Sequence, residues 1–141
     1  MELPYAEDLG HYWKTGSSSP DTWIEMAKKL IREVDGEITA EGFGSVGTQA
    51  AYMLAFRIKA DSFKVVFPVL YSRAGNAIAA KRQATTMLYH DIKAKCMVAK
   101  VLGVKAAFFN YLMLPDGRTV SEIATPELAQ TFPLMLGQRE I

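Results

Sequence analysis

Residues 42–47 spell the pattern G-x-G-x-x-G, which is typical of loops that bind the pyrophosphate of a dinucleotide. Such a loop needs a buried apolar strand before it, a helix after it and an acidic residue about 20 positions further on. Here the preceding segment carries Glu37 and Glu41, and residues 50–59 alternate apolar and polar side chains as a half-buried strand does. We therefore interpret the run as a turn between two antiparallel strands.

A nicotinamide site in residues 42–47 is the weaker alternative. Residues 51–58 also fit a helical apolar stripe, and the glycine run resembles the cofactor loop of amino-acid dehydrogenases. The acid that would bind the ribose is missing, because Ser72 and Arg73 occupy the region where it is expected. The sequence therefore predicts that the protein binds no nicotinamide cofactor.

Other residues that could do chemistry are isolated from one another. His11 and His90 are the two histidines, and neither belongs to a metal-binding pattern such as H-x-x-x-H. Cys96 is the single cysteine and lies within a predicted helix, where a small buried side chain is expected rather than a nucleophile. Glu37 and Glu41 are expected on one solvated face of a strand. These patterns predict no catalytic residue and no metal, and they favour a protein that is not an enzyme.

Charge is distributed unevenly along the chain although the net charge is only +1. Residues 1–56 hold four basic and nine acidic side chains, residues 57–105 hold ten and two, and residues 106–141 hold two and four. A basic middle segment of this kind indicates either a polyanionic partner or contact with an acidic part of the same or another chain.

A long helix predicted in the basic segment carries cationic and aromatic residues on the face opposite its apolar arc. Together with a basic residue just before the helix, this face provides the candidate nucleic-acid ligands Arg73, Arg82, Tyr89, Lys93 and Lys100. Long cations on a rigid face neutralise backbone phosphates, and the Tyr89 ring would stack on a base. The competing interpretation is an ordinary solvated face, since any helix packed on one side exposes charges on the other.

The N-terminal segment is rich in aromatic residues. Tyr5, Tyr12 and Trp13 precede a flexible polar run that ends at Ser19. We interpret residues 1–18 as an aromatic arm that contacts another protein or a second copy of the chain, because exposed aromatic clusters mark interaction sites.

The remaining chain, residues 19–141, is long enough for one domain. Hydrophobic periodicity and capping signals predict helices at 20–35 and 76–102, and extended segments at 37–43, 49–59, 63–71 and 107–114. Gly36 is expected to cap the first helix, and Pro68 places the third strand at a sheet edge. The apolar arc expected to face the core of the long helix includes Ala94, Val98, Val101 and Leu102. The resulting fold class is α+β, with the order α-β-β-β-α-β and a mainly antiparallel sheet packed against the long helix.

Two resemblances accompany this order. Residues 56–119 resemble a small family of bacteriophage and prophage proteins without an established activity. The likeness rests on Phe67-Pro68, on the helix start at residues 79–84, and on residues 108–112 leading into 114–119. The element order is similar to that of a large nuclease superfamily, but the paired carboxylates that hold its magnesium are missing here, since Asp61 stands alone.

Composition sets the remaining expectations. No apolar run approaches the ~20 residues that cross a bilayer, and the first residues lack an export signal, so we expect a cytoplasmic protein with no membrane partner. The function predicted from the sequence is that of a small phage-type accessory protein without enzymatic activity that binds nucleic acid through the basic helix face. The alternative is a protein-interaction or inhibitor module that uses the aromatic arm and the sheet, and the least favoured is a dinucleotide-binding enzyme.

Overall fold

The computed structural model describes residues 3–11 and 18–124, with the side chain of Val46 excepted. The helices are α1 (Ala6–Leu9), α2 (Pro20–Glu33), α3 (Ala77–Leu102), α4 (Val104–Ala107) and α5 (Val120–Ala124), with a 3-10 turn at Phe109–Tyr111. The strands are β1 (Gly36–Val46), β2 (Gln49–Ile58) and β3 (Asp61–Val69). No helix in the described ranges is long and apolar enough to cross a membrane.

The three strands form one antiparallel sheet in the order β1-β2-β3, which packs against α3. The expected α+β class, with its antiparallel sheet and long helix, is therefore confirmed. Pro68 lies in β3, an edge strand, as expected. An edge position tolerates proline because that residue cannot donate a ladder hydrogen bond.

The glycine run is part of a hairpin, although the turn is shorter than expected. Gly42 and Gly44 lie within β1 and pair with Met53 and Ala51, and the chain reverses only after Val46. Of the three motif glycines, Gly47 is the one that sits in the turn, with a left-handed φ of 62°. Since a paired strand follows the run instead of a helix, the run lacks the surroundings of a dinucleotide loop.

Alternate residues of β2 and β3 form the core beneath the helices. Phe56 stacks on Phe63 at 5.4 Å between ring centroids, and Phe108 meets the two rings at 5.4 Å and 5.8 Å. All three rings are fully buried. Burying a side chain of this size contributes roughly 1.5–3 kcal/mol, so this trio anchors α4 and the 3-10 turn to the sheet.

Residues 107–114 were expected to be extended, and this prediction is wrong. The chain instead forms α4 and the 3-10 turn, and only Leu112 and Met113 make isolated β-bridges, to Phe63 and Thr119. Phe108 explains the difference, because a compact helical connection brings its ring directly onto the aromatic core. Tertiary packing outweighs the local preference of the apolar run for a strand.

The end of α2 differs from the expected glycine cap. Asp35 adopts the left-handed conformation, with φ of 67°, and Gly36 already begins β1. A Cβ atom at Gly36 would lie 2.4 Å from Cγ2 of Ile31. The glycine is needed for close approach of strand and helix rather than for its φ.

Glu37 and Glu41 lie on opposite faces of the sheet, contrary to expectation. A bulge between Ile38 and Ala40 shifts the register, so Glu37 pairs with Arg57 outside while Glu41 points toward α2. Such a bulge reverses the alternation of every later side chain in the strand.

Candidate functional site

The N-terminal end of α3 is held by the described part of the arm. Ala6 is fully buried, and its amide donates to the carbonyl of Tyr71 at 2.8 Å. From α3, the amide group of Gln83 donates to the carbonyls of Ala6 and His11 at 2.9 Å and 3.1 Å. Residues 3–11 thus pack against the body of the protein, whereas Tyr12 and Trp13 lie outside the described residues.

Glu7 binds the loop that precedes α3. Its carboxylate accepts hydrogen bonds from the Ser72 hydroxyl at 2.8 Å and from the amides of Arg73 and Ala74 at 3.0 Å and 3.1 Å. Burial would raise the pKa of Glu7, but these hydrogen bonds outweigh it and lower the pKa to about 2. Glu7 therefore remains ionised in the folded protein at acidic pH values where an ordinary glutamate is protonated.

Arg73, predicted as a phosphate ligand, is paired within the chain. Its guanidinium donates to both carboxylate oxygens of Asp8, at 2.5 Å and 3.0 Å, and lies 4.3 Å from the ring centre of Tyr5. The hydrogen bond from Arg73 lowers the pKa of Asp8 and the same contact raises that of Arg73. We call α1 with Glu7, Asp8 and Arg73 the arm clamp.

The first half of the predicted basic face is covered. Arg82 donates from Nε to the carbonyl of Ser18 at 2.8 Å and is half-buried, and Thr86 on the same face is only 1% exposed. Tyr89 is half-buried, with its ring 5.3 Å from that of Trp23. Arg82 and Tyr89 are thus engaged in packing rather than displayed together for a ligand.

Lys93 and Lys100 are the predicted ligands that remain exposed. Among the described residues no carboxylate forms an ion pair with either of them. The neighbouring Lys95 differs, since it pairs with Asp91 at 3.2 Å. The structure thus leaves two of the five predicted nucleic-acid ligands uncompensated on an open surface.

The C-terminal end of α3 exposes a contiguous set of apolar side chains. We call this set the apolar stripe: Ala94, Met97, Val98, Val101 and Leu102. Val101 is 82% exposed, Leu102 66% and Met97 62%. The sequence pattern had assigned four of these residues to the core, and that assignment is wrong.

Among the described elements, α2 spans only about 21 Å against about 39 Å for α3, so it leaves part of α3 uncovered. Near the C-terminal end of α2, a weak hydrogen bond joins Cys96 of α3 to the carbonyl of Leu30 at 3.7 Å. Beyond this point α3 continues to Leu102, and Gly103 then turns the chain back toward the core. Burial raises the pKa of the Cys96 thiol, so this cysteine is a packing residue rather than a nucleophile.

A charge network around the buried Lys28 joins α2 to β1. The Lys28 amine donates to Glu41 at 2.6 Å and also pairs with Glu25 at 2.8 Å, and the Tyr52 hydroxyl donates to Glu41 at 2.8 Å. Burial first, and then the Glu41 carboxylate, raise the pKa of Tyr52. These four side chains are partners of one another. In the described residues no set of three His, Cys, Asp or Glu side chains is placed to hold a metal ion.

No family model matches the chain, and no curated protein or solved structure is significantly similar to it. The likeness to a phage protein family therefore remains a prediction from sequence. The function has to be argued from the surfaces described above.

Proposed function

We propose that this protein is a non-enzymatic docking module whose apolar stripe binds an amphipathic helix of an acidic protein partner. The single observation that carries the proposal is the exposure of Met97, Val101 and Leu102 side by side at the end of a rigid helix. The proposed docking surface lies on α3, whereas the sequence alternative named the arm and the sheet.

The spacing of the stripe favours a helical partner. Ala94, Met97, Val98 and Val101 follow the i, i+3, i+4, i+7 pattern of helices that pack against helices. Removing apolar surface from water contributes about 25 cal/mol per Å². A partner that covers a contiguous row therefore gains more binding free energy than one that covers a single apolar residue. Contiguous apolar patches at protein surfaces commonly mark interaction sites.

The charges beside the stripe favour acidic groups on that partner. At about 100° per residue, Lys93 and Lys100 border the stripe on the side of Met97. A second copy of the chain would bring the same uncompensated lysines toward each other, which disfavours symmetric pairing. A partner helix with carboxylates along one edge would match both the apolar row and the basic border.

A peptide selection experiment tests this proposal. Helical peptides displayed with apolar residues at i, i+4 and i+7 and random flanking positions are selected on the wild-type protein, and the recovered peptides are remade with Lys in place of their acids. We expect the selected flanks to be rich in Glu and Asp, and the Lys versions to bind more weakly. Equal recovery of basic and acidic flanks would contradict the charge argument, and recovery of no binding peptide would contradict the proposal itself.

Nucleic-acid binding is the second candidate, favoured by the exposure of Lys93 and Lys100 without a described carboxylate partner. If duplex DNA contacts these lysines, the slope of log affinity against log salt should shrink by about 0.9 for each lysine changed to Glu. In that case Val101→Glu would lower the affinity by charge repulsion alone and no more than Lys93→Glu does. Wild-type protein that binds no duplex at low salt would contradict this second candidate.

A further inference from the structure

A small cleft lies at the opposite end of α3 from the apolar stripe. It is bounded by the first turn of α3, the end of β3 and the turn between β1 and β2, and has a volume of about 240 Å³. Its walls are mainly apolar and include Ala50, Val69, Leu70, Ala77 and Ala80. The cleft is smaller than the roughly 300–1,000 Å³ of sites for drug-sized ligands, so its occupant would be a short molecule.

Most polar groups at the rim already have partners. The Tyr71 hydroxyl donates to the carbonyl of Thr48, and the Ser72 hydroxyl donates to Glu7 at 2.8 Å. Neither hydroxyl therefore has its proton free for a ligand. Among the residues that line the cleft, the half-buried Lys81 is the one with a charged side chain.

Lys81 is a cation without a described counterion. None of the ion pairs among the described residues includes it, and its amine lies 4.8 Å from the ring centre of Phe43. A ring face compensates a cation only partly, by ~0.5–2 kcal/mol. The amine keeps donor capacity for an anion in the cleft.

We propose that this cleft binds a small monocarboxylate with an apolar body, such as a short-chain or aromatic acid. The apolar walls take the body, and Lys81 pairs with the carboxylate. One cation at the rim fits one negative charge, and the small volume excludes long chains. The site is independent of the proposed docking function, because it uses none of the residues of the apolar stripe.

Three probes of similar size separate the contributions. Hexanoate, hexanol and hexylammonium share an apolar chain and differ in charge, so NMR titration of the full-length protein with each isolates the role of Lys81. We expect hexanoate to shift signals of residues 48–50 and 69–81 in a saturable way, with hexanol weaker by about tenfold, as for loss of a charge-assisted hydrogen bond. Hexylammonium should be weaker still.

Two variants complete the test. Lys81→Met keeps the apolar stem and should weaken hexanoate binding about tenfold, while the matched control Lys93→Met, an exposed lysine on the same helix, should leave it unchanged. Ala77→Leu fills the cleft from an exposed position and should reduce binding of hexanoate and hexanol alike. Hexanol binding as tightly as hexanoate, unchanged affinity in Lys81→Met, or no saturable shift up to about 10 mM would each overturn the proposal.

Discussion

The two ends of α3 differ in how far the rest of the described chain covers them. At the N-terminal end the arm clamp supplies hydrogen bonds and charge pairs, and the described part of the arm covers the helix. At the C-terminal end, about 39 Å from the start of the helix, Met97, Val101 and Leu102 are each more than half exposed. One end of the helix is thus held within the molecule, while the other is exposed and carries the proposed docking surface.

A single exposed apolar residue is not enough to distinguish the two ends of α3. Ile78, near the N-terminal end, is 63% exposed, as much as Met97. It stands by itself, however, and single exposed apolar residues are normal on protein surfaces. Contiguity is what distinguishes the apolar stripe, so Ile78 serves as a matched control for it.

The largest expected effect comes from a matched pair of leucines on α3. Leu88 is buried in the core and Leu102 is 66% exposed. Leu88→Ala should lower the free energy of unfolding by about 2–5 kcal/mol, because it leaves a cavity. Leu102→Ala should change it by less than about 0.5 kcal/mol. Chemical denaturation measures both values.

A large loss of stability in Leu102→Ala would contradict the exposed stripe. Measuring both variants at two protein concentrations separates the explanations for such a loss. Concentration-dependent stability would indicate that a second copy covers the stripe, whereas concentration-independent stability would indicate cover from within the chain.

A smaller effect is expected at the N-terminal end. Gln83 is fully buried and donates to two carbonyls of the arm. Gln83→Leu keeps the volume but removes both donors, so we expect a loss of about 1 kcal/mol. Hydrogen exchange of the Ala6 amide, which is bonded to Tyr71, should accelerate because the arm opens more often. Unchanged exchange in the variant would show that Gln83 does not hold the arm.

The smallest effect concerns the pH dependence of the arm clamp. Because the folded protein lowers the pKa of Glu7 from 4.5 to about 2, this carboxylate contributes stability above its unfolded pKa. The contribution is lost as the pH falls from 4.5 toward 2. Glu7→Gln should therefore be less stable than wild type near neutral pH, and the gap between their unfolding midpoints should shrink over this window.

The control for this titration is Glu33→Gln, on the exposed surface of α2. Its unfolding midpoint should stay close to that of wild type, with no comparable change over the same pH range. If the difference between the unfolding midpoints of wild type and Glu7→Gln stays constant down to pH 2, the loop does not bind the Glu7 carboxylate in solution.

Local patterns predicted most of the fold. Periodicity and capping signals predicted α2 and α3, whose observed N-caps are Ser19 and Asn76. Alternation predicted a strand at residues 49–59, where β2 lies. The bulge after Ile38 and the helical turn that carries Phe108 had no such local signal. Both depend on contacts with distant residues, which a single sequence does not display.

The candidate surface was missed for a related reason. A helical wheel assigns Val101 and Leu102 to the core face because it considers direction and not length. The lengths were already informative, since α2, at about 21 Å, can cover only about half of α3. The pairing of Arg73 with Asp8 could not be predicted from local patterns, because the two residues are 65 positions apart in the sequence.

The most direct test of the docking surface compares Val101→Glu with Ile78→Glu. Both variants place a carboxylate at a highly exposed apolar position of α3, at opposite ends of the helix. Calorimetric titration with an acid-flanked peptide selected on the wild-type protein measures the affinity of each. We expect Val101→Glu to bind at least about tenfold more weakly than wild type and Ile78→Glu to bind as wild type does. Equal affinities for the two variants would contradict the assignment of the docking surface to the apolar stripe.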